Sequence, residues 1–357
     1  MAMLIASVHG ALPDHYYDQD ALIAEFIQQW SEAHHNVDRL ARLHKAVTVG
    51  GRHLALPIEA YPDLSLGQAN DAFIRVGTQI GAEAIRGALS KAGLAPSDVD
   101  VIFTTTVTGI ATPSIDARLV NELGFRNDIK RIPMFGLGCV AGAAGTARLA
   151  DYLRGHPDEV GVLLSVELCS LTIQRGDFSI ANLIASGLFG DGAAALVGVG
   201  EERAQRTATR GPRVLASESR FYPNTERVMG WDVGDTGFQI VLDASVPDVV
   251  KANIRQDADQ FLSQHDLDRS DIVTWIAHPG GPKVLTAFEE SLSLPADALR
   301  HTWNSLESIG NLSSSSVLFV LRDTLDASSP AVGSHGLMMA MGPGFCSEFV
   351  LLRWDGE

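Results

Sequence analysis

Three side chains that could carry out acyl transfer stand at three turns along the chain. Cys139 follows a Gly-Leu-Gly turn and begins a run of small residues that predicts a closely packed helix. His278 directly follows the predicted strand Ile272–Ala277, and Asn311 precedes the predicted helix Val317–Leu325. A cysteine thiolate can accept an acyl group, while imidazole and amide groups can donate hydrogen bonds to an oxyanion or an enolate. Together these residue types indicate a nucleophile with two stabilising donors.

Each of the three residues also has a purely structural interpretation. A cysteine often fills a small buried space, so the position of Cys139 leaves nucleophile and filler equally open. His278 could bond a carbonyl group within its turn, and Asn311 could cap the helix that follows it. In the catalytic interpretation, the helix N-terminus and a protonated His278 both lower the pKa of the Cys139 thiol and favour the thiolate.

The glycines around Cys139 also fit a different class of protein. The segment Gly136-Leu-Gly-Cys-Val-Ala satisfies the phosphate-binding pattern of dinucleotide-binding domains, and Glu167 ends the next predicted strand, where a ribose-binding acid would stand. Against this interpretation, the pattern lies near the middle of the chain and a cysteine occupies the phosphate loop. A nicotinamide-dependent oxidoreductase is therefore an alternative that the local pattern alone leaves open.

The elements that must position these residues alternate between strands and helices, which predicts an α/β fold in layers. The clearest of them after the first hundred residues are Ile115–Leu123, Arg131–Phe135, Ala141–Leu153, Val160–Val166, Ala193–Val199, Val246–Leu262 and Lys283–Leu292. The charged connection Glu201–Gly211 separates two halves of similar strand–helix order, residues 1–205 and 206–357. Two such halves would form a site between them, at the carboxyl ends of strands.

Composition and charge exclude several classes of protein. The 357 residues include 27 basic and 43 acidic side chains, a formal net charge of −16, which makes nucleic-acid binding improbable because that affinity depends on phosphate neutralisation. The apolar runs are far shorter than the ~18–20 residues of a membrane span, and the apolar start of the chain has no basic flank typical of a signal peptide. Three cysteines, Cys139, Cys169 and Cys346, cannot all pair, so we expect free thiols and a cytoplasmic protein.

Five ordered segments of the chain resemble the type III polyketide synthases, the chalcone-synthase-like branch of the thiolase superfamily. The segments are Gly138-Cys-Val-Ala-Gly, Ser186-Gly-Leu-Phe-Gly-Asp-Gly-Ala-Ala, Trp275-Ile-Ala-His-Pro-Gly-Gly-Pro, Gly310-Asn and Gly342-Pro-Gly. The resemblance extends from about residue 39 to the end of the chain. It implies a thiolase-like fold with two similar halves in an αβαβα arrangement, a homodimer, and coenzyme A thioesters as substrates without a further cofactor or a metal.

The resemblance assigns roles to the three polar residues. Cys139 would load an acyl group from acyl-CoA and hold the growing chain as a thioester. His278 and Asn311 would stabilise the enolate formed when malonyl-CoA loses carbon dioxide, and then the oxyanion of the Claisen condensation. In the same family, Gly342, Pro343 and Gly344 would form the loop that shapes the cyclisation cavity.

The resemblance also implies a substrate pocket around Cys139. Phe189 and Phe238 would stand between the coenzyme A tunnel and the cavity, although either could be an ordinary core aromatic residue. The pocket-lining positions of the family fall on Val107, Cys169, Thr172 and Ser313. Two of these, Val107 and Cys169, replace threonines of the plant enzymes, and Thr112 stands where the plant enzymes send a methionine across the dimer interface.

Coenzyme A is a polyanion, so an acidic protein needs a local basic patch to bind it. Arg39 and Arg42 fall at the family's phosphate-binding positions, Lys45 is a shifted substitute for a third, and Lys283 follows the histidine segment at the tunnel mouth. Spacings of three and six residues place Arg39, Arg42 and Lys45 near one helical face. The alternative interpretation is that each of these four residues is an ordinary charged side chain at the surface.

The replaced pocket residues bear on the product that we expect. Smaller and less polar linings make room for alkyl chains, so the sequence favours a medium- or long-chain acyl-CoA starter and an alkyl-α-pyrone or alkylresorcinol product, as in some bacterial members. One alternative is a 1,3,6,8-tetrahydroxynaphthalene synthase that uses malonyl-CoA only, since Cys169 also occurs in such enzymes. Another is a single condensation of the ketoacyl-carrier-protein synthase III type.

Overall fold

The computed structural model describes residues 2–30, 37–62, 64–327 and 330–355. Its strands are β1 Met3–Ala11, β2 His15–Asp18, β3 Gly51–Leu54, β4 Val101–Thr106, β5 Lys130–Phe135, β6 Val160–Leu168, β7 Asp191–Val199, β8 Pro212–Phe221, β9 Met229–Gly234, β10 Gly237–Leu242, β11 Ile272–Ala277, β12 His335–Gly342 and β13 Cys346–Trp354. Its α-helices are α1 Gln19–Trp30, α2 Val37–Ala46, α3 Leu66–Ala92, α4 Ile115–Leu123, α5 Ala141–Gly155, α6 Ile180–Leu188, α7 Glu201–Thr207, α8 Val246–Ser263, α9 Pro282–Leu292, α10 Arg300–Ile309 and α11 Ser316–Ala327.

Nine strands form one hydrogen-bonded sheet in the order β11-β12-β13-β8-β1-β7-β6-β4-β5. Strands β1 and β8 pair where Met3 faces Val214 and Leu4 faces Arg213, which joins a five-stranded part to a four-stranded part. Strands β2 and β3, and strands β9 and β10, form two further antiparallel pairs. Each half of the chain therefore contributes its own part of the sheet.

Helices α5 and α11 lie between the two parts of the sheet, and other helices cover the outer faces. Side chains alternate along β12, because successive residues of a strand point to opposite faces. Met338 and Ala340 pack in the central core with α5 and α11, whereas Leu337 and Met339 pack in the outer core with α8 and α9. Helix α3 packs on the outer face of β1, β6 and β7. The predicted αβαβα layers are confirmed.

Helix α5 is built from small residues because it must approach both parts of the sheet and α11. A Cβ atom added at Gly142 would lie 2.3 Å from the Ser314 carbonyl oxygen, and one added at Gly145 would lie 2.7 Å from a Leu163 methyl group. Larger side chains at these positions would push the layers apart. This close packing holds the start of α5, where Cys139 stands, deep within the molecule.

The sequence located most of these elements. The predictions for α4 and β11 match the observed bounds, and those for β6, β7, α5 and α8 differ by one or two residues at one end. The connection Glu201–Gly211 contains helix α7, and the predicted division between residues 205 and 206 falls inside that helix; it stays a prediction. Within the described ranges, no helix combines the length and hydrophobicity needed to cross a bilayer.

Candidate active site

Cys139 lies in a tight turn between β5 and α5. Gly136 and Gly138 have φ angles of 96° and 55°, in the left-handed region that favours glycine over other residues. A Cβ atom at Gly138 would also lie 2.6 Å from the Pro343 ring. The two glycines thus allow the chain to turn sharply under a neighbouring loop and place Cys139, whose exposed fraction is 7%, directly before α5.

The electrostatic surroundings of Cys139 favour the thiol. Burial raises the pKa of Cys139 to about 12, the hydrogen bond from its Sγ to Ser313 Oγ (3.6 Å) lowers it, and the negative charge of Glu167 raises it. Burial thus opposes the resting thiolate expected from the sequence, and that expectation stays a prediction. The nucleophile must lose its proton when an acyl donor is bound.

His278 follows strand β11, where its backbone N–H donates to the carbonyl oxygen of Met339 at 2.9 Å. The side chain is buried, and neither ring nitrogen has a hydrogen-bond partner within the described residues. Burial lowers the pKa of His278 to about 3, which favours the neutral imidazole; the imidazolium predicted beside Cys139 stays a prediction. Buried polar atoms are normally hydrogen-bonded, so the free ring nitrogens mark His278 as a group able to bind a ligand.

Asn311 is held by its backbone and by one end of its amide. Its N–H donates to the Leu188 carbonyl oxygen and its carbonyl accepts from Gly190 N–H, both at 2.9 Å, which forms a parallel bridge beside Phe189. Its side-chain Oδ1 accepts from the N–H of Ser313 at 2.8 Å. The amide nitrogen Nδ2 makes no hydrogen bond within the described residues and is the donor left for a ligand.

The three polar residues line one cavity of about 360 Å³. Of the predicted site residues, the cavity wall contains Val107, Cys139, Cys169, Phe189, His278, Lys283, Asn311, Ser313 and Pro343. Strands β9 and β10 add Met229, Trp231, Ile240 and Leu242, which sequence reasoning missed because nothing in their local pattern links them to the turn motifs. The volume lies in the range of about 300–1,000 Å³ usual for small-molecule sites.

A second cavity of about 500 Å³ lies on the other side of Phe189, which lines both. Val107 and Cys169 face the first cavity, whereas the next residues in sequence, Thr108 and Ser170, face the second. Phe238 lines the second cavity, and its ring packs against Trp231 with a centroid distance of 6.3 Å. Thr172 lines neither cavity; its hydroxyl donates to the Cys169 carbonyl at 2.8 Å and fixes the turn behind the wall.

The loop Gly342–Gly344 between β12 and β13 lies on the Cys139 turn. A Cβ atom at Gly342 would lie 2.7 Å from both the Leu137 carbonyl oxygen and the Val140 nitrogen. Pro343 forms part of the cavity wall, while Cys346 is half-buried beside the loop, its Sγ 3.7 Å from the Pro343 carbonyl oxygen. The close backbone approach makes glycine necessary at 342 and couples the loop to the Cys139 turn.

Helix α2 borders the mouth of the first cavity. Leu43 and Ala46 line the cavity, and the exposed residues Arg39 and Arg42 share their helical face, because residues three and four positions apart are neighbours on a helix. Arg42 Nε donates to the Asp38 carbonyl oxygen at 3.3 Å, which leaves the charged group at the surface. Neither arginine belongs to the cavity wall, but both lie on the helix beside it.

The other two predicted cations differ from each other in position. Lys283 is exposed at the start of α9 and belongs to the cavity wall. Lys45 lies on another side of α2, and its Nζ is 3.8 Å from a carboxylate oxygen of Asp20 in α1. Lys45 is six residues after Arg39 and therefore about 120° away around the helix. The expectation that Lys45 shares a helical face with Arg39 is wrong, and Lys45 does not line the cavity.

Glu167 is a buried residue next to the cavity. It accepts hydrogen bonds from Ser314 Oγ, from Thr108 Oγ1 at 2.9 Å and from Val107 N–H at 3.1 Å. Burial raises the pKa of Glu167 to about 7, and the bonds from Ser314, Val107 and Thr108 lower it. A carboxylate saturated in this way has no free oxygen for a ribose, and Gly138 of the supposed phosphate loop lies against the Pro343 ring; the dinucleotide interpretation is wrong.

Comparison with known proteins decides the family. Residues 1–202 match the N-terminal domain of chalcone and stilbene synthases, and residues 213–354 match their C-terminal domain. The chain belongs to the type III polyketide synthases. It is 52% identical, over 98% of its length and 93% of the relative, to 1,3,6,8-tetrahydroxynaphthalene synthase of Streptomyces peucetius subsp. caesius. It is 30% identical to phloroglucinol synthase of Pseudomonas fluorescens over 97% of each chain.

Solved structures of type III polyketide synthases share the fold. The crystal structure of 1,3,6,8-tetrahydroxynaphthalene synthase from Streptomyces coelicolor superimposes with a TM-score of 0.93 at 30% identity, covering 99% of this chain and all of that one. The chain is therefore an acyltransferase-class enzyme with a thiolase-like fold. These relatives favour the tetrahydroxynaphthalene alternative over the alkylpyrone or alkylresorcinol product that the sequence predicted.

Proposed function

We propose that this type III polyketide synthase makes 1,3,6,8-tetrahydroxynaphthalene from malonyl-CoA alone. The observation that carries the proposal is the 52% identity to a synthase of that product over 98% of the chain. The cavity of about 360 Å³ around Cys139 is in keeping with a product built entirely from two-carbon units. The chain uses no cofactor in this proposal beyond the coenzyme A of its substrates.

The loading step follows from the neutral state of Cys139 and His278. Both groups line the same cavity, so the imidazole can accept the thiol proton as the sulfur attacks the thioester of malonyl-CoA. A carbon–sulfur bond forms to Cys139, the bond to coenzyme A breaks, and the imidazolium returns the proton to the departing coenzyme A thiolate. Burial disfavours a free thiolate, so the sulfur needs a proton acceptor beside it during the attack.

The condensation step uses His278 and Asn311 as hydrogen-bond donors. When the next malonyl-CoA loses carbon dioxide, the electron pair of the broken carbon–carbon bond forms an enolate, whose oxygen accepts from the imidazole N–H and from Asn311 Nδ2. The enolate carbon attacks the thioester on Cys139, and collapse of the tetrahedral intermediate releases the sulfur. Phe189 adds an apolar wall that disfavours the malonyl carboxylate and so favours decarboxylation.

Arg39, Arg42 and Lys283 hold the coenzyme A phosphates in this proposal. All three are exposed cations at the mouth of the Cys139 cavity or on the helix beside it. The net charge of −16 would otherwise repel a polyanionic substrate, so a local concentration of positive charge is needed at this entrance. Lys45 is left out, because its Nζ lies near Asp20 instead.

A longer acyl-CoA starter is the second candidate function. The second cavity of about 500 Å³ beyond Phe189 offers space for an alkyl chain, lined in part by Leu54, Ile58 and Phe238. Movement of the Phe189 ring would connect the two cavities. This candidate retains the alkyl-α-pyrone or alkylresorcinol product of the sequence prediction.

Mass spectrometry of the products separates these two candidates. The enzyme is incubated with malonyl-CoA alone and with malonyl-CoA plus hexanoyl-, decanoyl- or palmitoyl-CoA. We expect tetrahydroxynaphthalene from malonyl-CoA alone. Consumption of malonyl-CoA only in the presence of an added acyl-CoA would overturn the proposal. Cys139→Ala should abolish the covalent acyl adduct in intact-mass spectra, whereas Cys346→Ala should retain it.

We also propose that the enzyme works as a cytoplasmic homodimer. Strands β4 and β5 end side by side, with Thr106 paired to Phe135, and the exposed side chains Phe135 (58%) and Ile110 (56%) follow from these ends. Exposed apolar side chains at one edge of a sheet suit a self-complementary contact. Size-exclusion chromatography with light scattering is expected to give twice the chain mass of 38.2 kDa. A monomer at micromolar concentration would contradict this proposal.

A further inference from the structure

A fully buried arginine lies behind the active-site wall. Arg52 in strand β3 has an exposed fraction of 1%, and no motif in the sequence identifies it. Burying a guanidinium costs several kcal/mol unless charges and hydrogen bonds compensate, so a buried arginine is retained where its contacts matter. Arg52 contacts two segments that carry active-site residues.

The first of these segments is the end of helix α6. Arg52 Nη1 donates to the carbonyl oxygens of Ser186 at 2.6 Å and of Phe189 at 3.0 Å. The last carbonyl groups of a helix have no partner within the helix, so the guanidinium supplies the donor that this end lacks. The contact fixes the direction in which the chain leaves α6 and therefore the position of Phe189.

The second segment is the turn that carries Asn311. A Cβ atom at Gly310 would lie 3.2 Å from Arg52 Cγ and 2.7 Å from the Leu188 carbonyl oxygen, and the φ angle of Gly310 is 74°. The glycine therefore lets the turn pack directly on the arginine stem. Since Phe189 and Asn311 form a bridge with each other, Arg52 contacts both sides of the same junction.

A buried carboxylate balances the charge of Arg52. Asp191 accepts from Ala55 N–H at 2.6 Å and from Ser170 N–H at 2.8 Å, and its negative charge stabilises the nearby guanidinium. Ala55 follows directly after β3, so the arginine strand is tied to the start of β7 as well. Asp191 thus ties the end of β3 and the turn at Ser170 to the start of β7, while Arg52 bonds to the end of α6.

We propose that Arg52 is a positioning residue for the condensation reaction, which sets Asn311 and Phe189 relative to each other without contacting the substrate in the Cys139 cavity. The inference rests on the roles proposed above for Asn311 and Phe189. A displacement of about 1 Å of an oxyanion donor can cost roughly 100-fold in rate. Loss of the arginine should therefore slow decarboxylation of malonyl-CoA more than it weakens substrate binding.

The test uses Arg52→Lys and Arg52→Met with Arg213→Met as the matched control. Arg213 is a half-buried arginine in an ion-pair network with Glu201 and Asp355, and it lies at the junction of β1 and β8. The readouts are the melting temperature, the alkylation rate of Cys139, and kcat and KM for loss of carbon dioxide from malonyl-CoA. Decarboxylation is measured because it reports on Asn311 whatever the final product is.

We expect Arg52→Met to lower kcat by roughly 10- to 100-fold at a near wild-type KM, and Arg52→Lys to recover part of the loss. Arg213→Met should keep kcat at a comparable loss of melting temperature. If Arg52→Met does not fold, Arg52→Lys alone decides, since a lysine keeps the charge but is shorter than the arginine whose Nη1 makes both contacts. Wild-type kcat in a folded Arg52 variant, or equal losses in the Arg213 control, would overturn the proposal. A wild-type enzyme that decarboxylates malonyl-CoA but makes another product would refute only the proposed function.

Discussion

Burial favours the neutral form of both reacting side chains of this site. Desolvation raises the pKa of Cys139 and lowers that of His278, and each shift opposes the charged form. A neutral pair can exchange one proton during loading and return it afterwards, while a permanent ion pair would keep the imidazole from acting as base. Glu167 adds to this state, since its negative charge disfavours a thiolate nearby.

Removing the charge of Glu167 should make Cys139 more reactive. In Glu167→Gln the pKa of Cys139 falls, so alkylation by iodoacetamide at pH 8 is expected to be several-fold faster than in the wild type, about tenfold for each unit of pKa. Below pH 6 the difference should disappear, because Glu167 with a pKa of about 7 is then protonated in the wild type. Glu348→Gln removes another buried carboxylate and serves as control. Slower alkylation in Glu167→Gln at pH 8 would contradict this account of the thiol.

Two helices position different parts of the site. Helix α5 brings Cys139 into the core through its glycines, while α2 presents its cations beside the cavity mouth. The sequence predicted α5 from its run of small residues, because such residues let a helix pack closely against its neighbours. It could not predict that Lys45 turns toward α1, since that depends on how α2 packs on its neighbours.

The sequence indicates the parts of the site that depend on local interactions and not the parts that depend on distant segments. Turn glycines next to Cys139, His278 and Asn311 are local signals, and those residues do line one cavity. The wall formed by β9 and β10 depends on the packing of β10 against α6, and the buried Arg52 depends on bonds to residues 134 and 137 positions away. The local sequence of a short strand does not show that a charged residue in it is buried, because the burial depends on distant segments. For the same reason the product required comparison with whole chains rather than with motifs.

The phosphate contacts proposed for α2 can be separated from the chemistry by changing the substrate. Arg42→Ala should raise KM for malonyl-CoA several-fold, because an exposed charge contact contributes on the order of 1 kcal/mol. The same variant should leave the kinetics of malonyl-N-acetylcysteamine unchanged, since that thioester lacks the nucleotide phosphates. Lys45→Ala is the matched control on the same helix and should affect neither substrate. An equal effect of Arg42→Ala on both thioesters would show that Arg42 does not bind phosphate.

The glycines of α5 provide a test of the packing between layers. Gly142→Ala places a methyl group 2.3 Å from the Ser314 carbonyl oxygen, against backbone that cannot move without shifting α11. Such overpacking costs about 1–3 kcal/mol, so thermal unfolding should begin several degrees lower. Gly155→Ala, at the other end of α5, meets nothing within 4 Å and should leave the melting temperature unchanged or slightly higher. Equal melting temperatures for the two variants would show that the layers at Gly142 have room to move apart.

Across the whole molecule, four buried titratable groups make opposite contributions to the pH dependence of stability. Burial raises the pKa of Glu167 to about 7 and that of Asp191 to about 6, whereas it lowers the pKa of His44 and His278 to about 3. Between pH 4.5 and 6.5 the folded chain keeps carboxyl protons that the unfolded chain has lost. In the same range the unfolded chain binds histidine protons that the folded chain does not. The carboxyl groups therefore make stability fall as pH rises, and the histidines make it rise.

Glu167→Gln removes one side of this balance and should change how stability depends on pH. In the wild type, raising the pH through 7 ionises a buried carboxyl group whose pKa in the unfolded chain is 4.5, which costs about 3 kcal/mol at most. The glutamine variant avoids this cost, so its melting temperature minus that of the wild type should increase from pH 5 to pH 8. Differential scanning fluorimetry at these two pH values measures the difference, with Glu202→Gln as a control at an exposed carboxylate. If this difference in melting temperature shrinks with rising pH, Glu167 is stabilised as an anion. That result would contradict the raised pKa of Glu167.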